Sequence, residues 1–360
     1  MTGHARRTIQ RFVVKVGSSV LTDDHGHLLP KRIEQLAEQV AACLAEHRQP
    51  LLVSSGAIAC GMAKLGLQRR PTALAQLQAC AAIGQGELMH LYTKTFAKRG
   101  LLTAQVLLTQ DDLANRARFR NAKQTLLTLL HRRVIPVINE NDTVAVEEIT
   151  FGDNDRLAAL VAVMADAELV VILSDVDGFL QGGKLVERVD TIGKLRGGSL
   201  GPGRATTKGG MASKLEAARI AGHSGIPLII ANGTKPGVLT GLFSGQSLGT
   251  LFVPQHHRLS RRKWWIAFSL RQPKGSVVID EGASAAIQDR GKSLLALGVQ
   301  AVKGRFEAGS CVSVADAAGT ELARGLCNVS SAELTRLRGL PARIVIHRKQ
   351  LVLARELAHP

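Results

Sequence analysis

Aromatic residues make up only 3% of this 360-residue chain, so it has few flat platforms on which single-stranded bases could stack. Its five cysteines, Cys43, Cys60, Cys80, Cys311 and Cys327, are odd in number and form no C-x-x-C pair. That spacing argues against a disulfide framework or a zinc ribbon and predicts reduced, buried thiols. The eleven histidines contain no H-E-x-x-H, and no transition metal is assigned. No apolar run approaches the ~18 residues of a membrane span. Residues 1–10 are basic but lead into no signal-like apolar core, so a cytoplasmic protein is expected. Three catalytic signatures are also missing: the G-x-x-x-x-G-K-[ST] phosphate loop, the H-R-D catalytic loop and any Ser-His-Asp or Cys-His arrangement.

What is present is an ordinary globular composition, 45% hydrophobic, with a strong positive balance of +17. Lys plus Arg outnumber Asp plus Glu by 29 to 21 over residues 1–253, by 6 to 0 over 254–274 and by 11 to 8 over 275–360. The excess is therefore spread, with one concentration at Arg258, Arg261, Arg262, Lys263, Arg271 and Lys274. Such a charge suits a nucleic-acid partner, and it equally suits a protein that collects anionic substrates.

Short apolar strands alternate with helical stretches over the first 250 or so residues, the pattern of an α/β domain on a mainly parallel sheet. The strands are predicted at 11–16, 50–55, 102–107, 134–139, 169–174 and 227–231. Between the first two, Ile33, Leu36, Val40, Leu44 and His47 recur at helical spacing. Four strands end in small or polar turns, which in an open α/β sheet converge on the ligand crevice beyond the carboxyl ends. Periodicity fails from Pro254 to Gly275, giving a first domain over 1–256, a basic linker over 257–274 and a second module over 275–360. That module has short β-like runs at 276–279, 299–302, 311–314 and 342–346 between glycine-rich turns, which predicts a small, mostly β barrel.

Two lysines carry the chemical reading. Lys15 ends the strand Phe12-Val13-Val14 and opens into Val16-Gly17-Ser18-Ser19, where a point charge and accessible amides can hold phosphate oxygens or where the lysine is simply solvated. Lys208-Gly209-Gly210-Met211-Ala212-Ser213-Lys214 enters a helix, offering free N–H groups and a second cation. Together they match what the β- and γ-phosphates of a nucleoside triphosphate require. Asn139-Glu140-Asn141-Asp142 and Phe151-Gly152-Asp153-Asn154-Asp155 are joined by a hairpin-like stretch over 144–150, and they exceed what turns alone need. Ser174-Asp175 puts a hydroxyl and a carboxylate at the crevice mouth, while Asp177 reads as part of the Gly178 turn. No general base is evident, which favours a carboxylate acceptor, already ionised at neutral pH with a reference pKa of about 4.3.

In this order, these segments together with Val53-Ser54-Ser55-Gly56-Ala57-Ile58 resemble the amino-acid kinase family, and the module from Gly275 resembles a PUA domain. The resemblance spans nearly the whole chain and implies a three-layer α/β sandwich around a mainly parallel sheet, followed by the small barrel. It implies ATP and Mg2+ as cofactors and phosphorylation of the γ-carboxylate of L-glutamate, the step that opens proline synthesis. By the same resemblance, Lys15 and the loop of Lys208, Gly209, Gly210, Met211, Ala212, Ser213 and Lys214 contact ATP, and Ser174 and Asp175 lie on the nucleotide. Ser55, Asp142 and Asn154 would bind glutamate. Lys15 and Lys214 would stabilise the transferring phosphoryl group, with Asp155 orienting them. Two positions depart from the family's habit: Lys208 stands where threonine is common, and Ser174 replaces a frequent threonine. Feedback inhibition by proline and a homo-oligomer are further implications. A kinase of the same fold for another acceptor, or an RNA-binding or regulatory protein working through the PUA-like module, are the competing readings.

Overall fold

Phe12, Val13 and Val14 are β-prone and entirely shielded from solvent in a computed structural model of the chain, where they form the strand β1, Arg11–Val16. The structure describes residues 9–145, 154–192, 210–254, 259–270, 273–341 and 343–358. Among them the first unit, Met1–His257, is built on one eight-stranded sheet. Its strands are β1, β2 (Gln49–Ser54), β3 (Thr103–Leu108), β4 (Ile135–Glu140), β5 (Leu169–Ser174), β8 (Arg188–Val189), β9 (Leu228–Asn232) and β10 (Thr250–Phe252). A two-residue hairpin pair, β6 (Leu180–Gln181) and β7 (Lys184–Leu185), stands apart from it. The spatial order is β3-β4-β2-β1-β5-β9-β10-β8, with every neighbouring pair parallel except β9 and β10. The six predicted strands are all present, shifted by a residue at most.

Helices cover both faces of the sheet. They are α1 (Ser18–Leu21), α2 (Pro30–Ala45), α3 (Ala57–Lys64), α4 (Leu74–Ala97), α5 (Gln110–Ala114), α6 (Arg116–His131), α7 (Asn154–Met164), α8 (Met211–His223) and α9 (Val238–Phe243). Side chains alternate along a strand, so β1 divides its residues between the two faces. Phe12, Val14 and Val16 join the cluster formed with α2, α4 and α9, where Phe12 meets Phe243 edge-on at 4.7 Å. Val13 and Lys15 therefore point to the opposite face, which α7 covers. The amphipathic helix predicted from Ile33 onward is α2. It stops before His47, whose φ of 61° belongs to a left-handed turn leading into β2.

The second unit, Arg258–Pro360, has a five-stranded sheet in the order β13-β11-β14-β15-β17, from β11 (Ser276–Ile279), β13 (Val299–Lys303), β14 (Cys311–Ala315), β15 (Glu321–Leu326) and β17 (Leu351–Leu353). The pair β12 (Leu294–Leu295) and β16 (Ile344–Ile346) completes its strands. Its helices are α10 (Arg261–Trp264), α11 (Glu281–Gln288), α12 (Ser331–Leu337) and α13 (Ala354–Ala358). Residues read from the sequence as a linker are folded: Ser260 caps α10, a π-helical turn follows at Trp265–Ser269, and Trp264, Ile266 and Phe268 are buried. Lys263 is tied to Glu356 at 2.8 Å within the same unit. The surrounding basic residues hid these apolar anchors. All five cysteines are free and buried, and burial pushes the Cys43 thiol up to about 12 and that of Cys311 to about 11.

Candidate active site

Lys15, Asp155 and Lys214 meet beneath the carboxyl end of the sheet. The alternation on β1 aims Lys15 at α7, and Asp155 lies in the first turn of that helix, where a negative charge also meets the positive end of the helix dipole. Lys214 comes from the first turn of α8, whose N-cap is Gly210. The Lys15 Nζ is 2.8 Å from Asp155 Oδ1, and the Lys214 Nζ is 3.1 Å from Oδ2. The Ser213 hydroxyl donates to the same Oδ2 at 2.7 Å. With relative exposures of 6%, 0% and 7%, the three charges are largely withdrawn from water. Burial pushes the Asp155 carboxyl up, but Lys15 and Lys214 beside it outweigh that and hold it below the ordinary aspartate range. One carboxylate thus keeps two cations close together with net positive charge, an arrangement suited to an anion with several oxygens.

Beside this triad runs a chain of amides. Asn154, the residue before Asp155, uses its Nδ2 to donate to Ser55 Oγ at 2.8 Å, Asn139 Oδ1 at 3.0 Å and the Ser54 carbonyl at 3.1 Å. Asn139, at the end of β4 and almost fully buried, in turn donates to Gln85 Oε1 at 2.8 Å. The direction of each amide is set by the next, and Ser55 Oγ, already accepting from Asn154, keeps its own proton for another acceptor. Ser54 is pinned from behind by the buried Tyr92 hydroxyl at 3.0 Å. Gln85 reaches Asn139 because α4 lies tight on α3: a Cβ on Gly84 would stand 1.8 Å from the Ala57 carbonyl oxygen, and one on Gly61 1.8 Å from that of Cys80. Gly56 enters α3 with φ 105°, a conformation that glycine adopts at little cost.

The other predicted positions fall around these two groups. Asp142 lies in the turn after β4, and burial pushes its carboxyl up to about 6 even though the Arg70 charge pulls it down. Ser174, the last residue of β5, donates to Asp175 Oδ1 at 3.1 Å. Asp177 pairs with Lys235 at 2.7 Å and accepts from Asn232, as a turn residue does. Gly210, Met211, Ala212 and Ser213 open α8. Lys208, Gly209, the Phe151-Gly152-Asp153 segment and most of the expected hairpin lie outside the described residues. The Gly17 amide, expected to be accessible, is given to the Leu173 carbonyl at 3.0 Å, so the strand-end turn has one amide fewer to offer. Sequence reasoning did not single out Arg70, Gln85 or Tyr92. The one local signal is Gly84, a glycine inside a helical stretch at a point of close approach beside Gln85.

The amino acid kinase family model matches residues 10–232, and the PUA domain model matches 275–348. The chain belongs to the amino acid kinase family and carries a PUA domain. A relative from Geobacter metallireducens named glutamate 5-kinase is 48% identical to it, covering 92% of this chain and 91% of its own. Relatives of the same name from Geobacter sulfurreducens, 47% identical over 92% and 91%, and from Pelobacter propionicus, 46% identical over 96% and 98%, are similar along the same length.

Proposed function

We propose that the chain transfers the γ-phosphoryl group of ATP to the γ-carboxylate of L-glutamate, giving L-glutamyl 5-phosphate for proline synthesis. The observation that carries this reading is the buried Lys15–Asp155–Lys214 cluster. In it, Lys15 and Lys214 stabilise charge on the transferring group, and Asp155 keeps two mutually repelling cations in place. Met211, Ala212, Ser213, Ser174 and Asp175, with Lys208, Gly209 and Gly210, make up the nucleotide side. Magnesium would be held mainly by the nucleotide's own phosphates and would there supply charge neutralisation to their oxygens.

Glutamate is held by Ser55, Asn154 and Asp142. The free Ser55 proton suits a carboxylate oxygen, and an ionised Asp142 suits the α-ammonium group. No general base is needed, because the attacking oxygen is already a carboxylate. A cytoplasmic homo-oligomer inhibited by proline completes the reading, supported by family likeness alone. Formation of γ-glutamyl hydroxamate from glutamate, ATP, Mg2+ and hydroxylamine tests it. Product above the level of a Lys214→Ala control is expected, and none, or a preference for another acceptor in a substrate panel, overturns it.

A further inference from the structure

The second unit contains a cavity of about 510 Å3, within the range of small-molecule sites, and nothing in the proposed reaction uses it. Its lining includes four cations from three separate places in the chain: Arg262 on α10, Lys292 after α11, and Arg348 and Lys349 just before β17. A fifth, Lys263, is neutralised by Glu356. Among the described residues, none of the other four takes part in an ion pair, although the chain has acidic residues enough to pair many of its surface lysines and arginines. The floor between them is apolar, formed by the buried Ile287 and Leu351 and by the half-buried Leu353.

We propose that this cavity is a binding site for a compact phosphate-bearing polyanion. Two arginines and two lysines left unpaired around one concavity repel one another, and a multiply charged ligand removes that repulsion while a monovalent ion relieves only part of it. Guanidinium groups fork onto phosphate oxygens, and ammonium groups serve as mobile point charges beside them. The described lining contains no aromatic ring, so stacked bases find no seat here, and that disfavours single-stranded RNA as the occupant. The Ile287–Leu351 floor leaves room for a small apolar portion attached to the phosphates.

The chain carries its own reporter. Its only two tryptophans are Trp264 and Trp265, which directly follow Arg262 and Lys263, so tryptophan emission of the full-length protein reports from beside this cavity, and the Lys214→Ala background separates it from binding at the lysine cluster. Sodium tripolyphosphate is titrated at constant ionic strength, alongside ATP, adenosine and a short oligoribonucleotide. Calorimetry follows the same titrations in a Lys214→Ala background. A saturable tripolyphosphate response is expected, unchanged by Lys214→Ala and weakened roughly tenfold in Lys292→Ala/Arg348→Ala, the scale of losing two exposed charge-assisted contacts. An Arg348→Glu variant should abolish it while melting like the parent.

ATP binding more tightly than tripolyphosphate through the same residues identifies the ligand as a nucleotide, whereas equal binding with no response to adenosine identifies a bare polyphosphate. Both outcomes support the site. No saturable binding by either readout, a response that survives the double substitution, or an oligoribonucleotide that outcompetes tripolyphosphate overturns the proposal. None of these results depends on which acceptor the first unit phosphorylates.

Discussion

Replacing Asp155 by asparagine keeps the shape of the side chain and removes the one charge that holds Lys15 and Lys214 together. Each ammonium group is about 3 Å from the carboxylate, with contacts of 2.8 and 3.1 Å to its two oxygens. Two unit charges about 5 Å apart repel by roughly 3 kcal/mol at an effective dielectric of about 20. Removing one partner of a buried ionic group costs about 3–5 kcal/mol in measured cases, a range that already contains this repulsion. At about 2 °C per kcal/mol, Asp155→Asn should melt about 6–10 °C below the parent in scanning fluorimetry. The sign with pH follows from the depressed carboxyl: its stabilising contribution is complete above the ordinary aspartate pKa near ~4 and is lost as pH falls through the lower folded value. The variant should therefore lose its deficit only in strong acid. Phosphates can replace the missing counter-charge, so Mg-ATP should raise the variant's melting temperature more than the parent's, while kcat falls by roughly 100-fold or more. A variant that melts within about 1 °C of the parent, with an equal nucleotide shift, would refute the argument.

Other outcomes follow from the same geometry. Lys15→Ala should lower kcat by about 100- to 1,000-fold with little change in KM for ATP, because the charge it stabilises is greatest in the transition state; steady-state kinetics showing a pure KM rise would reduce it to a binding residue. Asp142, pushed up to about 6, must be ionised to hold an ammonium group, so KM for glutamate should climb as pH drops below about 6, and Asp142→Asn should remove that inflection along with much of the affinity. The stability effect of this carboxyl has the opposite sign to that of Asp155: between about 4 and 6, rising pH costs stability, because the folded state holds a proton that the unfolded state has released. Gln85→Leu leaves the Asn139 amide without its acceptor and should raise KM for glutamate roughly tenfold while sparing KM for ATP; Gln85→Glu, which still accepts, should restore most of the affinity. An equal loss in both variants would show that the amide chain does not set the glutamate site.

Where a strand's own composition fixed the outcome, the sequence was enough. β1 and β5 are continuous apolar runs, legible because strands buried on both faces need them, and Lys15 was conspicuous as the break in one such run. Asp155 was legible because a negative charge in a helix's first turn has a physical reason to sit there, and Lys214 because a cation near a helix N-terminus runs against the dipole and so calls for an anion beside it. Gln85 and Tyr92 were not, since their relevance depends on how closely α4 approaches α3, a distance set by packing between residues far apart in the chain. Arg70 lies between two helices beside a second arginine and a proline, and there nothing local tells a site residue from a solvated one. The folded segment from Ser260 to Ser269 escaped for a related reason: its pattern is neither period two nor a long amphipathic helix, and its anchors Trp264, Ile266 and Phe268 are recognisable only once buried.

The alternation of β1 has a consequence for how the chain reaches its working form. Lys15 faces α7 only while β1 keeps its pairing with Val53 on β2 and Ile172 on β5. A slip by one residue would turn the lysine into the apolar layer around Leu36 and Phe243 and present a valine to Asp155, leaving a buried cation without a partner and Asp155 with Lys214 as its one remaining counter-ion. The misregistered sheet would thus be unstable for the same reason that it would be inactive. Folding itself therefore acts as a filter for catalytic competence, and a population of compact but inactive molecules with β1 shifted by a single residue is not expected to accumulate.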